Sequence, residues 1–148
     1  MVEELDSSVG VVVAALERLD LARDTLVFIN SDNGPWFQGS AGSLRGRKMD
    51  SFEGGMRVPL VIHWPEHTGE NLTVDSLVSG LDLFPTVLDL AGIPLPRDRQ
   101  LDGVSLVELI HTGEGSPRQH LLYAQIRQFH AWRSDRYKYH ARQVVPYG

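Results

Sequence analysis

The chain has no cysteine among its 148 residues. Disulfides, thiolate zinc sites and any cysteine-derived nucleophile are therefore excluded on this chain. It also lacks a basic excess, with 14 Lys and Arg against 19 Asp and Glu and a net charge of -5. A general nucleic-acid binder needs the opposite balance to displace counterions, so nucleic acid is not an expected partner. No apolar run approaches the roughly 18 residues of a membrane span, and no leader pattern is expected from the Met-Val-Glu-Glu start. A membrane is likewise not an expected partner. Internal repeats, low-complexity tracts, a phosphate-loop pattern and a His-Glu-x-x-His zinc pattern are all missing. The six histidines therefore define no site by spacing; His63 reads as a packed strand residue, and His130 and His140 as members of a sheet.

The hydrophobic content of 42% is that of an ordinary globular protein, of a length for one domain or part of one. Val2, Leu5, Val9, Val12, Val13, Leu16 and Leu19 recur at three- and four-residue steps, which predicts an amphipathic helix with one apolar stripe. Thr25–Asn30 and Val58–His63 are short, apolar and β-branched, and read as buried central strands. Ser76–Ser79 reads as a third short strand. Asp82 is placed to cap a helix over Leu83–Ala91 that Gly92 closes, and Ser105 to cap another ending near Gly113. His120–Ile126, Phe129–Ser134 and Arg136–Arg142 read as antiparallel strands with a turn at Ser134-Asp135. The order implies an α/β protein with an appended antiparallel piece. Two or three strands make a narrow α/β sheet, so the chain reads as a piece of a larger fold.

Chemistry concentrates between Ser31 and Pro59. Asp32 and Asn33 follow the first strand and offer hard oxygen donors suited to Ca²⁺, with Mg²⁺ the weaker fit. Taken alone, the Ser-Asp-Asn-Gly run reads first as a plain turn, and two donors fall short of the roughly six to eight that calcium takes. Arg45, Arg47 and Lys48 form a basic cluster able to neutralise an oxyanion, or simply to lie in solvent. Glu53-Gly54-Gly55 turns the chain back toward the next strand, and Arg57 is placed to pair with Glu53.

Asp32-Asn-Gly-Pro35, Leu44-Arg-Gly-Arg-Lys48, Phe52-Glu-Gly-Gly-Met-Arg-Val-Pro59 and His63-Trp-Pro65 together resemble the sulfatase family, the arylsulfatase-type enzymes of the alkaline phosphatase superfamily. The likeness continues through Leu81-Asp-Leu-Phe-Pro-Thr86, Leu90-Ala-Gly-Ile-Pro94, Leu101-Asp-Gly-Val-Ser105 and Arg133-Ser-Asp-Arg-Tyr-Lys138. Each motif is weak alone; in this order and spacing they are specific. The resemblance implies an alkaline-phosphatase-like α/β/α sandwich, with residues 1–115 from the C-terminal part of its catalytic domain and 116–148 opening a small antiparallel α+β subdomain. It implies that Asp32 and Asn33 are calcium ligands and that Lys48 contacts the substrate sulfate as a catalytic and binding residue. Arg47 stands where many relatives have glycine, a departure that crowds or recharges the pocket.

By the same resemblance, the chemistry is sulfate ester hydrolysis by metal-assisted attack on sulfur, through a covalent sulfated intermediate. The family's nucleophile is a formylglycine made within a Cys/Ser-x-Pro-x-Arg motif. Here Ser116-Pro-Arg118 has the wrong spacing and no cysteine exists. The chain is therefore expected to be a C-terminal fragment that holds half of the site and is inactive alone. Its expected partners are a small aryl or sugar sulfate and a missing N-terminal half or a second copy. Two rival readings stand beside this one: a phosphonate or phosphate ester hydrolase of the same superfamily, and a non-catalytic remnant or interaction module.

Overall fold

The computed structural model describes residues 2–69, 71–115, 117–125 and 128–141. Helix α1, Val2–Arg18, opens the chain. Its alternation is helical as expected, and Glu3 and Glu4 occupy the first turn, where the helix dipole favours anions. No residue of α1 is buried. Val9, Val13 and Leu16 are half-buried, whereas Val2, Leu5 and Val11 are exposed. The chain then turns at Asp20, and the carbonyl of Arg23 accepts from the Trp64 indole at 2.9 Å.

Strands β1, Val27–Asn30, and β2, Leu60–His63, pair with each other and with no third strand among the described residues. They are antiparallel, with Val27 opposite His63 and Asn30 opposite Leu60. This corrects the expectation of buried central strands. Phe28 and Ile62 face each other in the register and pack on a core of Leu106, Leu109 and Ile110. Val61, on the opposite face, is 53% exposed. One covered face explains why strands with near-continuous apolar sequence are only half-buried.

Helix α2 is the single turn Glu53–Met56 inside the long β1–β2 connection. The expected strand at Ser76–Ser79 does not form. Ser79 instead caps the 3₁₀ turn Gly80–Asp82: its hydroxyl accepts from the Leu81 amide, and its own amide donates to the Asp82 carboxylate. These local bonds satisfy the backbone that a ladder would have used. Asp82 therefore caps this turn and not helix α3, Leu83–Leu90, for which it provides no side-chain cap. Gly92 follows α3 with a positive φ, as its closing role requires. Helix α4, Val107–Thr112, carries the core residues Leu109 and Ile110 and ends at a left-handed Gly113, with Ser105 Oγ accepting from the Val107 amide.

The C-terminal sheet holds β3, His120–Gln125, β4, Gln128–Ser134, and β5, Lys138–His140, in that order and all antiparallel. Ile126 and Arg142, expected at strand ends, lie outside the described residues, as does Ser116. The register shifts between Tyr123 and Ala124. Tyr123, Ala131 and His140 form one cross-strand row, and Leu121, Arg133 and Lys138 another. Strand alternation puts both rows on the same face. That face is directed at the β1–β2 connection; the other carries the exposed Leu122, Trp132 and Tyr139.

Candidate active site

The connection between β1 and β2 is organised around the turn Glu53-Gly54-Gly55. On one side the Gly54 amide donates to the Arg45 carbonyl at 2.8 Å. On the other the Gly34 amide donates to the Gly55 carbonyl at 3.1 Å. The turn thus bonds directly to the segment that follows Asp32 and Asn33 and to the segment that leads into Lys48. A third bond closes the set, from the Lys48 amide to the Pro35 carbonyl at 2.9 Å. Glycine is required because the backbones touch. A Cβ at Gly54 would lie 2.1 Å from the Gly46 oxygen, and one at Gly34 would lie 2.1 Å from the Gly54 oxygen. Real side chains do not tolerate such approaches, so the Gly-Gly pair is a packing requirement.

The loop has further internal supports. Asp50 is buried, and its Oδ2 accepts from the Arg47 amide at 3.0 Å. The Arg45 guanidinium lies 4.1 Å over the Phe52 ring, and that of Arg47 lies 4.5 Å over Phe37. The arginines therefore make cation–π contacts with aromatic rings of the loop itself. Ser31 Oγ donates to the Asn33 carbonyl at 2.9 Å, fixing the start of the loop.

Of the three sequence-predicted site residues, Asp32 is exposed, Asn33 half-buried and Lys48 exposed. Asp32 and Asn33 line an open cleft of about 1790 Å³, whose walls include Arg57, Leu106, Arg118 and Arg133. Backbone bonds hold the Lys48 segment against the Pro35 end of the Asp32 segment. Among the described residues no group of three or more acidic or histidine side chains could hold a metal.

Glu53 was expected to pair with Arg57, and it does not: Arg57 only donates its amide to the Glu53 carbonyl, at 2.7 Å. The Glu53 carboxylate turns to the C-terminal sheet instead. Lys138 Nζ is 2.8 Å from Oε1, and the Tyr123 hydroxyl donates to the same oxygen at 3.3 Å. Arg133 Nε is 3.2 Å from Oε2 but off the direction of a hydrogen bond, so this contact is ionic only. Lys138 also lies 3.8 Å over the Tyr123 ring. Burial first, and the Glu53 charge second, push the Tyr123 phenol up to about 12. Burial lowers the Lys138 ammonium against the opposing pull of Glu53. Next to this group, His140 packs on Phe52 at 4.9 Å, and burial followed by the nearby Lys138 and Arg45 charges lowers its pKa. The sequence reading did not connect Tyr123, Arg133 and Lys138 with the loop. The available signal was their one-face alternation in antiparallel strands, but their acidic partner lies 85 positions away from Lys138.

Residues 1–93 match the sulfatase family model. Steryl-sulfatase of Mus musculus is 42% identical over 129 residues, which is 80% of this chain and 20% of that protein. Arylsulfatase A of Homo sapiens is 40% identical over 147 residues, 93% of this chain and 29% of that one. Among solved structures, the PsFucS1 sulfatase from Pseudoalteromonas sp. superposes with a TM-score of 0.87 at 29% identity, over 93% of this chain and 29% of that one. The fold is thus of the alkaline-phosphatase-like α/β class. Within that class, the chain belongs to the sulfatase family. It spans 20 to 29% of the length of these relatives.

Proposed function

We propose that this chain carries part of a sulfatase active site and that the reaction it serves is hydrolysis of a sulfate ester. The observation that carries the reading is the joint fixing of the Asp32-Asn33 and Arg45–Lys48 segments by the Glu53-Gly54-Gly55 turn. A site for a sulfate needs hard oxygen donors and a cation held in a fixed relation, and this turn connects the backbones that carry them.

Asp32 and Asn33 fit calcium chemically, as a carboxylate and an amide oxygen on the wall of a cleft. They supply two donors, fewer than the roughly six to eight that calcium takes. When bound, calcium supplies Lewis acidity toward a sulfate oxygen. The ammonium of Lys48 offsets charge on the sulfate or on the departing alkoxide or phenoxide. Residues 1–115 belong in this reading to the catalytic α/β domain, and 116–148 begin an antiparallel subdomain. The family's formylglycine is made from cysteine or serine within a Cys/Ser-x-Pro-x-Arg motif, and this chain has no cysteine and no such motif around any serine. Its contribution is therefore to bind and orient the sulfate, and it is inactive alone. The substrate class is an aryl or sugar sulfate.

Hydrolysis of an aryl sulfate tests this. The isolated chain gives no turnover. Joined to the remaining part of a related sulfatase it gives turnover that Lys48→Ala lowers by about 10²–10³-fold in kcat/KM, the usual loss on removing a charge-stabilising donor. Turnover by the isolated chain contradicts the partial-site reading. A preference of the joined enzyme for an aryl phosphonate reassigns the reaction to phosphonate esters.

A further inference from the structure

We propose that the C-terminal sheet is a positioning element for the loop that carries Asp32, Asn33 and Lys48, and that it acts through the Glu53 carboxylate. What the loop binds rests on the sulfatase reading; how it is held does not.

Glu53 opens the α2 turn, whose next two residues bond to the Arg45 and Gly34 segments. Any rotation of this turn moves both segments, because the Gly34, Gly46 and Gly54 backbones meet with no room for a Cβ. Beyond these backbone bonds the turn has no charged tie of its own: Phe52 provides no side-chain cap, and Glu53 makes no ion pair within its own loop among the described residues. The fixing groups come from three strands at once, Tyr123 on β3, Arg133 on β4 and Lys138 on β5. The carboxylate is hydrogen-bonded at one oxygen by an ammonium and a phenol and faces a guanidinium at the other, so both its oxygens are engaged by the sheet. Phe52 adds a second tie, between Arg45 on one side and His140 on the other. Two adjacent residues, Phe52 and Glu53, therefore transmit the position of the sheet to the loop. Lys138, Arg133 and Tyr123 are positioning residues, since they act on the binding groups through Glu53.

Amide hydrogen exchange on the 148-residue chain tests this without calcium or substrate. Lys138→Met and Glu53→Gln are expected to speed exchange at Gly34 and Gly54 by about tenfold or more, while amides of α3 change by less than about twofold. Lys138→Arg, which keeps the cation, is expected to restore protection. Folded variants with unchanged protection at Gly34 and Gly54 overturn the proposal, as does equal loss in Lys138→Arg and Lys138→Met. If Lys138→Met loses protection everywhere, Tyr123→Phe decides, because it removes only a hydroxyl: a selective rise at Gly34 and Gly54 supports the proposal, and none overturns it. A chain that shows the exchange effect but gives no aryl sulfate turnover when joined to the remaining part of a related sulfatase overturns the sulfate ester reading and leaves this proposal standing.

Discussion

Asp82 and Glu53 are two carboxylates withdrawn from solvent, each facing cations supplied by the C-terminal part of the chain, and they are held in different ways. Asp82 is fully buried. It accepts from the Ser79 amide at 2.7 Å and the Val104 amide at 2.9 Å, and Arg118 clasps both its oxygens. Around it Thr86 donates to the Asp82 carbonyl and accepts from the Leu106 amide at 2.9 Å, so the network runs directly into the α4 core. Glu53 has a side chain 23% exposed; among the described residues its polar partners are all side chains, and its Oε2 has no hydrogen bond. A carboxylate stitched into backbone amides fixes a fold. One held by three strands' side chains fixes a local orientation and stays sensitive to each of them. We read Asp82 as a centre of stability and Glu53 as a centre of alignment.

The contrast is broken most severely at Arg118. Arg118→Met removes the cation from a fully buried carboxylate and is expected to cost about 3–5 kcal/mol, read as a fall in the urea midpoint. A loss below about 1 kcal/mol would show that the backbone amides alone satisfy Asp82. Gly54→Ala comes next. Its Cβ meets the Gly46 oxygen, so overpacking of about 1–3 kcal/mol is expected, with spectral change concentrated in residues 33–57. An unchanged melting temperature would contradict the close backbone approach.

The alkaline limb sharpens the comparison. The folded pKa of Tyr123, about 12, is raised above its ordinary 10.0. Its contribution is therefore complete below pH 10 and lost as pH rises toward 12. Tyr123→Phe should flatten the stability profile over that window, while Asp82 substitutions should not. On the acid side His140 is depressed below 6.5. It favours folding fully above that value and less as pH falls through it toward the folded pKa, a slope that His140→Phe should remove. The smallest effect is that of Tyr123→Phe at neutral pH, about 0.5–1.5 kcal/mol for one hydroxyl bond.

Much of this was legible in the chain order. The helical stripe of α1, the α3 and α4 boundaries and the antiparallel end follow from periodicity and punctuation, because those signals are local. Ser76–Ser79 misled because apolar residues beside serines resemble a short strand, and only the capping bonds of Ser79 with Leu81 and Asp82 distinguish a turn. The strands β1 and β2 read as central because their composition suits a sheet covered on both faces, and composition does not state what covers it. Within the loop, motif order singles out Asp32, Asn33 and Lys48 as the residues to test. It does not single out the anchors of Glu53, since Lys138 and Arg133 look like solvated strand charges until the fold brings a carboxylate to them.

Calcium titration by calorimetry of the chain joined to the remaining part of a related sulfatase, beside the same protein carrying Asp32→Ala, tests most directly whether this loop is part of a sulfatase metal site. The account predicts binding on the order of micromolar, within the range of oxygen-ligand sensor sites, that the substitution abolishes. A folded joined protein that binds no calcium, or binds it equally well without Asp32, would contradict it.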